Sequence, residues 1–218
     1  MRMPTVEELL RFPRKGDAVI PSPTPLDRYR GDPADAYAFG YRMAANILAE
    51  HVRGQGCEAV LFYPVVFLYR HHVELMLKNL IFAFNDPAVR RVTESEELSK
   101  EDRDSLQTGK KAHSLHALWG RLLPMVKALG GVVSDEEIKG ISSYIQQLTE
   151  IDPHSVSFRY ATGFEKTKAA LGRAQKEGAL VDLQTFAEAM ERLAGILGGL
   201  DSYVGEIIGY CDGSGDEL

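Results

Sequence analysis

Val65-Val-Phe-Leu-Tyr-Arg-His-His-Val-Glu-Leu-Met-Leu-Lys-Asn-Leu-Ile-Phe82 is the stretch on which the fold turns. Placed on a helical wheel, Val65, Val66, Phe67, Leu68, Val73, Leu75, Met76, Leu77, Leu80, Ile81 and Phe82 cover most of the circumference. A helix that is apolar nearly all round is a central, buried one. It reads as running from about Glu58 to Phe84, where Asn85-Asp86-Pro87 stops it. Pro64 lies in its first turns and argues for a start a few residues later. Arg70, Glu74 and Lys78 interrupt the apolar surface at i, i+4 and i+8, with His71 beside them. That spacing puts two ion pairs on one narrow stripe. The stripe reads either as a solvated face or as a partly buried polar seam of the kind kept for binding or catalysis. The same charges argue against a membrane span, which needs about 20 mostly apolar residues in a row.

Helices also dominate on either side. Asp32-Pro33 reads as a cap followed by proline at the first helical position, opening an alanine-rich helix to about Arg53. Beyond the central helix, residues 86–111 carry seven acids against six bases with little periodicity. They read as a long charged excursion, with room for one short helix at its centre. A third helix is predicted over Ser114–Leu129, kinked or broken at Pro124 and stopped by Gly130-Gly131. Ser134-Asp-Glu-Glu137 has the spacing of a capping box and opens a fourth, to about Glu150. A last helix starts near Asp182 and runs to about Tyr210, with Leu183, Phe186, Met190, Leu193, Leu197, Leu200 and Val204 stepping by three and four. The alternation in Val156–Tyr160, paired with Leu180-Val181, suggests one short β-hairpin. Residues 1–32 hold five of the ten prolines and read as an irregular arm with one short helical turn at Val6–Arg11. Residues 211–218 read as an acidic tail. The fold class is all-α: about five main helices in a single domain over residues 33–210.

The 218 residues carry 25 basic and 31 acidic side chains, a formal net charge of −6. That balance does not suit a surface coated in positive charge for general nucleic-acid binding, although a local basic groove remains compatible with it. Cys57 and Cys211 form neither a disulfide framework nor a metal knuckle, and with no apolar leader near Met1 a cytoplasmic location is expected. Neither cysteine has a histidine near it in sequence to activate it as a nucleophile. His71 and His72 are adjacent and cannot both chelate from one helix face. His113 and His116 have metal-compatible spacing but no third ligand nearby, so neither a metal site nor a cofactor is expected.

Two polar clusters lie where they could join the stripe on the central helix. One is His113-Ser114-Leu115-His116, leading into Leu118-Trp119; the other is Asp152-Pro153-His154-Ser155, followed by Phe158-Arg159-Tyr160. His113 can equally be read as the start of its helix, and Asp152 as the end of the helix before it. In order, Phe67-Leu-Tyr-Arg-His-His-Val-Glu-Leu-Met-Leu-Lys78, His113-Ser-Leu-His-Ala-Leu-Trp119 and Phe158-Arg-Tyr160 resemble the HEPN superfamily over roughly residues 40–210. The resemblance implies a bundle of four to five helices, often a two-fold dimer with a polar cleft at its interface. It also implies RNA, a nucleotide or a cognate protein as partner, in toxin–antitoxin or antiviral settings, and for many members a metal-independent ribonuclease activity.

The ribonucleases of that superfamily carry R-x4-6-H, with the histidine moving protons and the arginine stabilising charge on phosphate. This chain lacks it, because none of the positions five to seven residues before any histidine is arginine. Lys110 and Lys111, ahead of His116, are a thin substitute. Two expectations stand. The first is a HEPN-like module that binds RNA, a nucleotide or a protein through the seam. The alternative is a metal-independent ribonuclease with a rearranged catalytic set of Arg70, Glu74, His113 and Arg159. In either case His71, Lys78, His116, Asp152, Ser155 and Tyr160 are the residues expected to contact a ligand.

Overall fold

A computed structural model describes residues 33–52, 58–108, 110–152 and 182–213. Its elements are α1 (Pro33–Val52), α2 (Glu58–Phe84), α3 (Pro87–Thr93), α4 (Lys100–Gln107), a 3-10 turn (Lys110–His113), α5 (Leu115–Ala128), α6 (Asp135–Ile151) and α7 (Leu183–Gly213). Every regular element among the described residues is helical. The expected arm, with its helical turn, and the expected β-hairpin lie outside the described residues. No helix is long and apolar enough to cross a membrane.

The central helix is central in fact: α2 packs against α1, α3, α5 and α7, and α6 closes on α5 and α7. Val65, Tyr69, Val73, Leu77, Leu80, Ile81 and Phe84 of α2 are fully buried. On α1 the residues turned inward are Ala38, Ala45, Ala49 and Val52, small side chains that let its backbone approach α2 closely. From α7 come Met190, Leu193, Leu197, Leu200 and Val204, while Leu183 and Phe186 sit at the edge of the core.

Helix ends follow their sequence signals. Ser134 and Glu137 form the reciprocal capping box that opens α6. Ser114 caps α5, its Oγ accepting from the amide of Ala117 at 3.3 Å. The chain reverses after α5 through Gly130 and Gly131 at φ 61° and 82°, a left-handed pair that side-chain-bearing residues resist.

Two expectations are corrected. Pro64 and Pro124 interrupt neither α2 nor α5. Each removes one donor, but both prolines lie on outer faces, and the carbonyls they would have served belong to exposed Val60 and Gly120, where water can substitute. The 86–111 stretch carries two short helices rather than one. Asp86 caps α3 by accepting from Ala88 N at 2.8 Å with Pro87 in the first turn, and Ser99 caps α4. Asn85 Oδ1 then accepts from Leu98 N at 2.7 Å and draws the connection back, so that Ala88, Val89, Leu98 and Leu106 are buried. A few apolar residues at helical spacing, thinly spread among many charges, anchor the segment.

Candidate functional site

Residues 70, 74 and 78 fall on the side of α2 that faces the 3-10 turn and the C-terminal end of α6. The stripe is therefore a seam and not a solvated face: Arg70 and Glu74 are each 1% exposed, and Lys78 retains 15%. Placing charges there requires that every one be answered. Arg70 Nη1 donates to Glu74 Oε2 at 3.4 Å, and Nη2 donates to the main-chain carbonyls of His113 at 2.9 Å and Asp152 at 3.2 Å. Its Nε lies 3.7 Å from Asp152 Oδ2. The two carbonyls close the 3-10 turn and α6 respectively, and both come at helix ends, where intrahelical donors run out. Asp152 is the C-cap of α6, and its own amide donates to Leu148 O at 3.0 Å.

Glu74 links this interior to the surface. Its Oε1 accepts from Lys78 Nζ at 2.9 Å and from His113 Nδ1 at 2.7 Å. Burial alone would raise the Glu74 carboxyl, but the Lys78 ammonium and the His113 ring outweigh it and hold the group below its ordinary value. An ionised carboxylate can only accept, so Nδ1 of His113 carries the proton. The His113 side chain is 43% exposed, and Nε2 is the ring nitrogen turned away from Glu74. The arrangement thus presents, at one edge of a buried charge network, an oriented imidazole beside an ammonium.

Of the residues singled out from the sequence, Arg70, Glu74, Lys78, His113 and Asp152 come together here. His116 sits in the first turn of α5 and is exposed. His71 makes its ring contacts on the α1 side, stacked on Phe67 at 5.7 Å and edge-on to Tyr41 at 4.4 Å between centroids. Ser155, Arg159 and Tyr160 lie outside the described residues. No group of three residues suited to hold a metal ion occurs among the described residues.

A second polar cluster joins α1, α2 and α7 and was not anticipated. Arg42 forms a two-pronged pair with Glu191 at 2.9 and 2.5 Å, and Tyr69 Oη donates to Asn46 Oδ1 at 2.6 Å. Burial, helped by the Glu191 charge, pushes the Tyr69 phenol up to about 12. His72 donates from Nδ1 to Ala38 O at 2.9 Å, and burial lowers its affinity for a second proton. One signal for this cluster was present in the sequence: Arg42 is the sole charge between Asp35 and Glu50 on an otherwise apolar helix.

Comparison of the chain with protein-family models, with curated proteins and with solved structures gives no match.

Proposed function

We propose that this chain is a HEPN-like helical module that binds RNA or a nucleotide at the open edge of its polar seam, working as a homodimer in the toxin–antitoxin or phage-defence setting that the sequence resemblance implies. One observation carries the reading: a buried, ionised Glu74 holds an exposed His113 ring at 2.7 Å and an ammonium, Lys78, at 2.9 Å. A bundle that needed only stability would gain little from such a group, since apolar side chains of similar volume serve a core as well or better. The Arg70 guanidinium is engaged with main-chain carbonyls, which favours binding over cleavage, because the cation that a phosphate transition state calls for is held inside.

The same carboxylate–histidine geometry favours a second reading, the metal-independent ribonuclease, in which His113 Nε2 acts as general base. Fluorescence anisotropy with labelled single-stranded RNA tests both readings, with parallel gels run in EDTA. Binding by the wild type that weakens at least tenfold in His113→Ala and Lys78→Ala supports the module. Cleavage in EDTA that disappears in folded His113→Ala replaces it with the ribonuclease. No binding by the wild type removes RNA and leaves a cognate protein as the partner to seek. Sedimentation of the purified chain tests the dimer.

A further inference from the structure

The neutral imidazole has one donor nitrogen and one acceptor nitrogen, and which is which decides what it can recognise. At His113 the choice is made from inside the protein. Nδ1 lies 2.7 Å from Glu74 Oε1. That carboxylate is 1% exposed, and its other oxygen faces Arg70 Nη1 at 3.4 Å. Arg70 Nη2 also holds the main-chain carbonyl of His113 at 2.9 Å, so ring and backbone are fixed from the same helix.

We infer that Glu74 is a positioning residue that turns Nδ1–H of the His113 ring onto its own carboxylate, so that the neutral imidazole meets a ligand with the Nε2 lone pair and selects a ribose carrying its 2′-hydroxyl over a deoxyribose. The inference rests on the RNA-binding reading above and sharpens it. A phosphodiester oxygen only accepts, and it gains nothing from a ring nitrogen that only accepts. A hydroxyl can donate to Nε2. Lys78 Nζ shares Oε1 with the ring at 2.9 Å, and an ammonium has further hydrogens to give. The edge therefore pairs an acceptor with a cationic donor, side by side. That matches a ribonucleotide, in which a donating hydroxyl neighbours an anionic phosphate.

The experiment has two arms on the full chain. In the first, long-range proton–nitrogen NMR correlation of the His113 ring, at a pH where imidazoles are neutral, should place the unprotonated nitrogen at Nε2. In Glu74→Gln the ring should shift towards the Nε2–H form, and a wild-type ring already in that form overturns the inference. In the second arm, one single-stranded sequence is supplied as RNA, as DNA and as 2′-O-methyl RNA. Wild type should bind the RNA up to roughly tenfold more tightly than either of the others, the net value of one hydrogen bond. His113→Ala should bring all three to one affinity. Equal wild-type affinities for the three overturn the hydroxyl selection while the nucleic-acid reading survives; no binding to any of them fails that reading and the inference with it. The wild-type ring spectrum and the 2′-O-methyl comparison need no variant, so a misfolded Glu74→Gln leaves the result decisive.

Discussion

At Arg70 one guanidinium answers two carboxylates and two helix-end carbonyls inside the protein, so truncation there uncovers all of them at once. Arg70→Ala should lower stability by about 3–5 kcal/mol, the range for breaking a buried ion pair from one side, read from urea unfolding. Arg70→Lys should recover only part of this, because an ammonium cannot span all these partners as a planar fork does. His72 makes a separate demand. Its folded pKa lies below the ordinary 6.5, so the unfolded chain takes up more protons between the two values. Stability is therefore full above about 6.5 and falls as pH drops through the folded value. Glu74, also depressed, adds its loss at lower pH, as the solution passes below the ordinary carboxyl value of 4.5. Urea midpoints should show the first decline in wild type and lose it in His72→Gln, whose amide can still donate to Ala38 O. The alignment of Arg70, Glu74 and Lys78 was legible in the sequence from their spacing. Their burial was legible only as one of two alternatives, because the groups that cover them, at His113 and Asp152, lie 43 and 82 residues from Arg70 and spacing cannot choose between a seam and a solvated face. The Arg42–Glu191 pair, 149 residues apart, could not have been read from periodicity at all.

Among the elements, the five long helices lie where periodicity and caps put them, since each carries a local start or stop: Pro33 for α1, Asn85-Asp86-Pro87 after α2, Ser114 for α5, Ser134 for α6 and the three-and-four stepping of α7. The prolines misled because a missing donor matters only where its carbonyl is dry. Pro124→Ala should accordingly change stability by no more than about 1 kcal/mol, because the Gly120 carbonyl is already hydrated and the alanine adds freedom to the unfolded chain, visible as a small shift in melting temperature. A gain of about 3 kcal/mol, the full helix-interior difference between alanine and proline, would show that water does not serve the Gly120 carbonyl. The 86–111 stretch hid its helices because they are only 7 and 8 residues long and mostly charged, too short for a periodic signal to rise above composition. Asp86→Ala removes the cap of α3 and should cost about 1 kcal/mol, with faster amide exchange confined to residues 87–93 if α3 opens locally.

Over the whole molecule, α1 is two-sided in an unusual way. Its inner face is alanine, and Tyr37, Phe39, Met43 and Ile47 on its outer side are 45–61% exposed. Ile47→Lys should change stability by no more than about 0.5 kcal/mol, the range for surface substitutions away from special features. A larger loss in the urea midpoint would show that the side chain is covered in solution. Helix packing around α2 was readable from hydrophobicity, whereas the way the bundle fastens its ends was readable only as one alternative, because that fastening is made by charges distant in sequence. The Arg70 clasp has a consequence in time as well as in energy. It joins α2 to the far end of α6, and its charges give up water only when the surrounding helices have docked. Such a contact belongs to the descending side of the folding barrier. Arg70→Ala should thus leave the refolding limb of a chevron nearly unmoved and lift the unfolding limb by almost the full loss, a φ-value near zero, so that the clasp sets how long the native bundle lasts rather than how quickly it forms.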